Sequence, residues 1–143
     1  MSREPWSAAI TRLKRAERIA FICVANSARS QMAEGIARAL APEGVIVWSA
    51  GSSPTKLNDQ AVRALAEIEI DISDHRAKSL TDIPLASMDA VVALCAEEQC
   101  PVLPAGVVRI DWALADPAGA PDEAAAFREV RDELRRRLAR VFE

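Results

Sequence analysis

The chain has 143 residues, of which 50% are hydrophobic and 27% charged, and these values fit one folded domain and argue against a disordered chain. Its 18 basic and 21 acidic residues leave a net charge of −3. This balance argues against a nucleic-acid-binding protein, which needs a positive field to displace counterions. No apolar run approaches the roughly 18 residues of a membrane-spanning helix, so we expect neither nucleic acid nor a membrane as a partner.

The three cysteines, Cys23, Cys95 and Cys100, point to a reducing compartment. They are odd in number, and the chain is long enough to fold without disulfides, so we expect reactive thiols in the cytoplasm. The apolar run 19–25 follows several basic residues, but the charged segment before it is long and contains two glutamates. It therefore does not fit a secretory signal peptide.

Strands and helices alternate along the chain. Apolar runs typical of buried strands lie at 18–25, 45–48, 89–95 and 107–110. Apolar residues at helical spacing lie at 32–40, at about 58–68 and from about 121 to 141. Pro42 ends the first of these helices, and Asn58 or Asp59 can cap the second. The alternation predicts an α/β fold with a mainly parallel sheet.

The chemistry-bearing stretch runs from Cys23 to Ser30, where the first strand turns directly into a helix. Such a turn can curl its backbone N–H groups around one tetrahedral oxyanion; the loop residues expected to do so are Val24, Ala25, Asn26, Ser27 and Ala28. Arg29 adds a planar fork of donors, and the same positive field favours Cys23 as a thiolate nucleophile. Ser30 can donate to that sulfur, and Asn26 tolerates the left-handed backbone of a tight loop.

Six segments of the chain form a distinctive set of motifs: Phe21-Ile-Cys-Val-Ala-Asn-Ser-Ala-Arg-Ser-Gln-Met-Ala-Glu-Gly35, Trp48-Ser-Ala-Gly51, Ile70-Asp-Ile-Ser73, Val91-Val-Ala-Leu-Cys95, Cys100-Pro101 and Asp116-Pro117-Ala118. Together they resemble the arsenate reductases built on the low-molecular-weight tyrosine phosphatase fold, which are usually thioredoxin-coupled. The resemblance implies three α/β/α layers around a four-stranded, mainly parallel sheet. It begins near Arg18, so we divide the chain into an N-terminal extension, 1–17, and one domain, 18–143. Trp6, Ile10 and Leu13 of the extension can pack as a short helix.

The resemblance implies a thiol relay that reduces arsenate to arsenite and supports arsenical resistance. Cys23 would attack arsenate held by the loop and Arg29, while Asp116 would protonate the departing oxygen. Cys95 would then attack the Cys23 sulfur, and Cys100 would resolve the resulting disulfide. Thioredoxin, or another thiol donor, would reduce the Cys95–Cys100 disulfide, so we expect no bound cofactor.

Each downstream residue of this relay also has a structural interpretation. Cys95 can be a core residue at a strand end, Cys100 an incidental loop thiol, and Asp116 a turn residue before Pro117. The two cysteines are five positions apart, against seven in the best-known relatives. Because a disulfide needs Cα atoms within roughly 7 Å, their pairing requires the intervening segment to rearrange.

Lys78 stands where several potassium-stimulated relatives carry an aspartate. In those enzymes, residues matching Asn26, Glu34 and Ser49 help bind a potassium ion beneath the loop, so the Lys78 ammonium can replace the ion. The alternative is an ordinary surface lysine. His75 is the only histidine, so we predict no metal site and a packing or hydrogen-bonding role beside the loop.

Two other functions stay open from the sequence. A phosphatase would use Cys23, Arg29 and Asp116 through a phosphocysteine intermediate. Phosphatases of this fold usually present aromatic residues after the Asp-Pro pair, whereas Ala-Gly-Ala follows Pro117 here and the chain has no tyrosine. A non-catalytic oxyanion-binding module is the third possibility, and the presence of Ser30 and Asp116 beside the cysteine argues against it.

Overall fold

The computed structural model describes residues 5–96 and 100–143. Its strands are β1 (Arg18–Cys23), β2 (Ile46–Gly51), β3 (Ala90–Ala93) and β4 (Arg109–Asp111). Its α-helices are α1 (Ile10–Arg15), α2 (Arg29–Leu40), α3 (Asp59–Ala66) and α4 (Glu123–Val141). The sheet has the order β2-β1-β3-β4, and every strand pair is parallel. The predicted α/β fold with a four-stranded parallel sheet is therefore confirmed.

The two faces of the sheet are covered differently. Ile19 and Phe21 of β1 point into a large core with apolar residues of all four α-helices, and we call this side the helix face. Ala20 and Ile22 point the other way, as the alternation of side chains along a strand requires. Two 3-10 turns, Leu80–Asp82 and Leu85–Ser87, and residues 100–107 supply the cover on this side, which we call the turn face.

The turn face carries short turns in its described part because its sequence interrupts helix growth. Ile83 is extended, with φ −123° and ψ 155°, as expected for a residue before proline. Pro84 then has no N–H to continue the hydrogen-bond ladder. The second outer layer of the predicted three-layer fold is thus made of 3-10 turns where the structure describes it.

Polar side chains cap the N-termini of helices α3 and α4. Asn58, one of the two predicted caps, accepts a hydrogen bond from the Gln60 N–H at 2.7 Å. Asp122 caps α4 by accepting from the Ala125 N–H at 3.2 Å. Helix α2 begins at Arg29, earlier than its apolar pattern indicates, because its first turn carries polar residues that face the candidate site. Across the described part of the chain, none of the helices combines the length and the apolarity needed to cross a membrane.

Candidate oxyanion site

A tight loop joins the end of β1 to the start of α2. Cys23 is the last residue of the strand and Arg29 the first of the helix. Midway, Asn26 adopts a left-handed conformation, with φ +48°, and is fully buried. The loop borders a cavity of about 180 Å³, lined by Cys23, Val24, Ala25, Ser27, Ala28, Arg29 and Asp116. This position, beyond the carboxyl end of a central parallel strand, is where ligands bind in open α/β sheets.

The loop carbonyls are bonded to a neighbouring segment. The Val24 carbonyl accepts from the Ser53 N–H at 2.9 Å, and the Ala25 carbonyl accepts from the Thr55 N–H at 3.1 Å. The Ser27 carbonyl accepts from the Asn58 N–H at 2.9 Å. In a trans peptide the C=O and the following N–H point in opposite directions. The N–H groups that follow these carbonyls, those of Ala25, Asn26 and Ala28, therefore point away from residues 53–58, an arrangement compatible with an anion-binding loop.

The Cys23 sulfur is bonded through a directed chain of donors. The Asn26 side-chain N–H donates to Ser30 Oγ at 2.8 Å, and Ser30 Oγ lies 2.8 Å from Cys23 Sγ. Since the amide nitrogen can only donate, Ser30 accepts there and keeps its own hydrogen for the sulfur. The backbone N–H of Asn26 also donates to Cys23 Sγ, at 3.3 Å. Both contacts stabilise negative charge on this sulfur.

Arg29 is fixed by residues far away in the sequence. Its Nη1 donates to the carbonyl oxygens of Leu94 and Leu114 at 3.3 and 2.8 Å, which follow β3 and β4. Its Nη2 lies 3.9 Å from Asp116 Oδ2. The Arg29 residue is 4% exposed, whereas the Asp116 side chain is 51% exposed. A buried cation and a half-exposed carboxyl group thus lie next to each other at the wall of the cavity.

A second layer of hydrogen bonds supports Asn26 from below. Its Oδ1 accepts from the Lys78 backbone N–H and the Gln31 side-chain amide at 2.8 and 3.0 Å. The same Gln31 amide donates to the Arg76 carbonyl at 2.8 Å, and its Oε1 lies 3.0 Å from His75 Nδ1. Because Oε1 can only accept, His75 carries its hydrogen on Nδ1. The predicted hydrogen-bonding role of His75 beside the loop is confirmed, and burial lowers the pKa of its imidazole.

Lys78 places its ammonium beside the buried Glu34 carboxylate. Nζ lies 3.6 Å from Glu34 Oε1, 3.4 Å from Ser49 Oγ and 3.1 Å from the Arg76 carbonyl. Ser49 donates a short hydrogen bond to the same Glu34 oxygen, and Arg38 pairs with the other at 2.6 Å. With a side chain only 16% exposed, Lys78 does not fit the alternative of an ordinary surface lysine.

All three cysteines are thiols in this structure, and they occupy different environments. Cys23 and Cys95 are buried near the carboxyl ends of the neighbouring strands β1 and β3. Cys100 is half-buried and packs against the turn face. Residues 97–99 of the segment between Cys95 and Cys100, which were predicted to form the relay disulfide, lie outside the described residues.

Arg109, at the start of β4, holds the chain beside Cys100. Its Nη1 donates to the Pro101 carbonyl at 2.7 Å, and its Nε donates to Asp111 Oδ1 at 3.0 Å. Partial burial opposes the charged guanidinium, but the hydrogen bond and charge of Asp111 outweigh it and raise the pKa of Arg109. A hydrogen bond and charge attraction from Cys100 act in the same direction.

Sequence reasoning missed three residues that shape the site. Gln31 is hydrogen-bonded to both His75 and the loop residue Asn26, and so links the two. Arg109 contacts Cys100. Gly51 passes directly under the loop, where a Cβ atom would lie 2.4 Å from the Val24 carbonyl oxygen and 2.9 Å from the Asn26 nitrogen. A buried polar residue in the first helical turn and a glycine at the end of a strand were the available signals.

The fold and the loop define a class of α/β protein with an anion-binding loop between a central strand and the following helix. The chain belongs to the low molecular weight phosphotyrosine protein phosphatase family, whose model matches residues 18–143. An arsenate reductase of Staphylococcus xylosus is 44% identical over 119 residues, which cover 82% of this chain and 89% of that protein. The predicted family is therefore confirmed.

Solved structures show the same likeness. An arsenate reductase in its phosphate-binding state superposes with a TM-score of 0.73 at 30% identity, covering 85% of this chain and 93% of the other. A thioredoxin-dependent arsenate reductase of Corynebacterium glutamicum gives a TM-score of 0.65 at 29% identity, over 91% of this chain and 66% of the other.

Proposed function

We propose that the protein reduces arsenate to arsenite with its own thiols. The observation that carries this proposal is the placement of two thiols, Cys23 and Cys95, at the ends of neighbouring strands. The Arg29 guanidinium also donates to the carbonyl of Leu94, the residue before Cys95. A hydrolytic phosphatase needs only the first of these thiols. Relatives that cover most of the chain are named arsenate reductases, which supports the same activity.

The first step is attack on arsenate bound in the loop. The backbone N–H groups of residues 24–29 and the Arg29 guanidinium hold the oxyanion, and the Cys23 thiolate attacks arsenic. An arsenic–oxygen bond breaks as the sulfur–arsenic bond forms, and Asp116 protonates the oxygen that leaves as water. Ser30, which lies 2.8 Å from Cys23 Sγ, holds the sulfur and stabilises its charge.

The second step moves two electrons from sulfur to arsenic. The Cys95 thiolate attacks Cys23 Sγ, and the electron pair of the sulfur–arsenic bond stays on arsenic, which leaves as arsenite. The Cys23–Cys95 disulfide forms in this step. Cys100 then attacks the Cys95 sulfur and releases the Cys23 thiolate. The remaining Cys95–Cys100 disulfide accepts two electrons from a thioredoxin-type donor. Because such donors are kept reduced in the cytoplasm, we place the cycle there.

We further propose that Lys78 acts as a built-in cation beneath the loop, where potassium-stimulated relatives bind an ion. Its contacts to Glu34 and Ser49, and its backbone N–H donated to Asn26 Oδ1, support this. The ammonium offsets the buried Glu34 carboxylate without an exchangeable ion. Asn26, Glu34, Ser49 and Lys78 are then the residues that support the loop.

Phosphomonoester hydrolysis is the second candidate, because the family model is that of a phosphatase and the loop suits phosphate as well as arsenate. The small residues after Pro117 offer no aromatic ring to flank a phosphotyrosine. Phosphatase activity would use Cys23 as its only thiol, together with Arg29 and Asp116, and would be unaffected by Cys100→Ser.

The decisive experiment is arsenate-dependent NADPH consumption by the reduced protein with thioredoxin and thioredoxin reductase. We expect steady consumption that disappears in Cys23→Ser. In Cys100→Ser we expect only a single stoichiometric round of arsenite release. Sustained turnover by Cys100→Ser would disprove the three-thiol relay, and no arsenate-dependent consumption with any thiol donor would favour the phosphatase.

A further inference from the structure

The N-terminal extension packs on the helix face as a part of its core. The family model begins at residue 18, yet Trp6, Ile10 and Leu13 are 6%, 7% and 1% exposed within the main core. Lys14 of α1 also pairs with the Glu143 side chain at 3.2 Å. The extension is thus built into the domain, and its contacts indicate what it positions there.

The most specific contact joins Trp6 to Trp112, the residue that follows β4. The two rings meet edge to face, with centroids 6.1 Å apart and an interplanar angle of 84°. The Trp112 indole N–H donates to the Trp6 backbone carbonyl at 3.1 Å. Since Trp112 is 1% exposed, its buried N–H depends on this acceptor from the extension.

Helix α4 also contacts Trp6. Three guanidinium groups lie 5.2, 5.4 and 5.8 Å from the Trp6 ring centroid, respectively those of Arg136, Arg137 and Arg140. Arg137 also lies 5.8 Å from the Trp112 ring. These distances fall within the range of cation–π attraction, so Trp6 is clamped between α4 and the segment after β4.

That segment carries the proposed acid. The Trp112 and Leu114 N–H groups donate to the Ala93 and Leu94 carbonyls at 2.9 and 3.2 Å, respectively. The Leu114 carbonyl accepts from Arg29 Nη1 at 2.8 Å, and Asp116 stands two residues further on. Because the Asp116 side chain is half exposed, its position depends on how firmly residues 112–116 are held.

We propose that Trp6 is a positioning residue for the acid segment, acting through Trp112 on residues 112–116. The N-terminal extension thereby fixes Asp116 opposite the Cys23 loop. This inference rests on the proposed function, in which Asp116 protonates the departing oxygen. Its structural content, the anchoring of residues 112–116 by Trp6, does not depend on which oxyanion reacts.

The test is a double-mutant cycle between Trp6→Ala and Asp116→Asn, measured as the rate of the first arsenite release in a single turnover. We expect Trp6→Ala to slow this step about tenfold, a fraction of the roughly 10²–10⁴-fold that a general acid contributes. In the Asp116→Asn background we expect Trp6→Ala to have almost no further effect, since the group that it positions is gone. A full tenfold loss in both backgrounds would overturn the proposal.

Two variants control for folding. Trp112→Phe keeps an aromatic ring but loses the indole N–H, so it tests the same link if Trp6→Ala does not fold, with a smaller slowing expected. Leu13→Ala removes an equally buried side chain of the extension and should lower the stability of the fold with the single-turnover rate unchanged. A rate loss in Leu13→Ala equal to that in Trp6→Ala would show general destabilisation instead.

Hydrogen exchange separates this proposal from the proposed function. In Trp6→Ala we expect faster exchange of the Leu114 and Ala118 amides and unchanged exchange in residues 24–30. If Asp116→Asn reduces arsenate at the wild-type rate, the acid assignment is wrong while faster exchange in 112–118 still supports the anchoring. Unchanged exchange in 112–118 would overturn the anchoring.

Discussion

The oxyanion loop and the Cys100 segment, the two ends of the proposed relay, are held in opposite ways. In the loop, the fully buried Asn26 is bonded through its backbone N–H and through both atoms of its side-chain amide. Cys100 is half-buried on the turn face, and the contact described around it comes from Arg109. This difference in how firmly the two segments are held agrees with the chemistry proposed for each of them.

A group that stabilises a transition state must be in place before the reaction, because reorganisation would consume the gain. The loop satisfies this condition through buried hydrogen bonds whose partners lie throughout the chain. A thiol that exchanges disulfide partners must instead change its position, since Cα atoms must come within roughly 7 Å of one another to be bridged. A face covered by 3-10 turns offers less packing to disrupt than one covered by four α-helices.

The largest expected effect comes from disturbing the loop through Gly51→Ala. The new Cβ would lie 2.4 Å from the Val24 carbonyl oxygen, so the loop must shift. A displacement of about 1 Å in such a site costs on the order of 100-fold in rate, and we expect a loss of that size in kcat/KM for arsenate.

Gly35→Ala is the matched control, because its Cβ would meet side chains of the helix-face core at 2.7 Å (Ile72) and 2.9 Å (Leu65). We expect it to lower the free energy of unfolding by about 1–3 kcal/mol with little change in kcat/KM. If the two variants lost activity equally, the loop would be no more sensitive than the core around it.

At the other end of the relay, Arg109→Gln should slow the resolving step. The guanidinium contacts Cys100 through a hydrogen bond and charge attraction, and a hydrogen bond to a charged group contributes about 1.5–3 kcal/mol. We expect multiple turnover to fall about tenfold at neutral pH, and the first arsenite release, which needs only Cys23 and Cys95, to stay at the wild-type rate.

Asp111→Asn is the control for Arg109→Gln, since it keeps the guanidinium and its bond to the Pro101 carbonyl. If Arg109→Gln lowered the single-turnover rate as much as the multiple-turnover rate, Arg109 would act before the resolving step and the prediction would be wrong.

The loop was predictable from the sequence because its information is local. Eight consecutive residues contain the nucleophile, the guanidinium, the hydroxyl and the residue with positive φ, and an apolar run before them fixes the strand. The geometry at its edge was not predictable. Arg29 is bonded to carbonyls 65 and 85 residues away, and backbone carbonyls carry no signature in the sequence.

All four strands predicted from the sequence are present in the structure, but their ends differ from the predicted ones. The predicted run 18–25 contains β1, yet the strand stops at Cys23 because the next peptides leave the ladder to form the loop. The run 89–95 shortens to Ala90–Ala93, and Cys95 follows it. Apolar composition reports burial, and these loop residues are buried without being paired in the sheet.

A smaller expected effect concerns Lys78, which lies beneath the loop, and is measured by comparing the rate in potassium with the rate in sodium. The wild-type rate should be nearly the same in potassium and in sodium, because the Lys78 ammonium already occupies the position beside Glu34. Lys78→Met should be severalfold slower in sodium and partly restored by potassium. Clear potassium stimulation of the wild type would contradict the built-in cation.

Arg38→Met serves as the matched control for Lys78→Met. It removes the other cation that pairs with Glu34 but leaves the Lys78 contacts to Ser49 and the loop. We expect it to be no more sensitive to potassium than the wild type. A potassium response in both variants would mean that the charge of Glu34, and not the position of Lys78, determines the ion effect.

The smallest expected effect concerns stability on the helix face, far from both ends of the relay. Hydrogen bonds from Arg128 and Arg131 of α4 lower the pKa of Glu67 from 4.5 to about 2, with contacts at 2.8 and 2.7 Å. A carboxyl group whose pKa is depressed by folding stabilises the folded state above its unfolded pKa, and this contribution is lost as the pH falls from about 4.5 to 2.

Glu67→Gln should therefore lower the free energy of unfolding at pH 7, by the modest amount typical of exposed ion pairs, and the difference from wild type should disappear near pH 2. Urea denaturation at pH 7, 4 and 2.5 measures it, with the exposed Glu129→Gln of α4 as a control for the same change in charge. Because Glu67 joins α3 to α4 and touches neither the loop nor Cys100, the single-turnover rate should not change. A rate that fell together with stability would show that the loop depends on the packing between α3 and α4, and the contrast between a firmly bonded loop and a lightly held Cys100 segment would not stand.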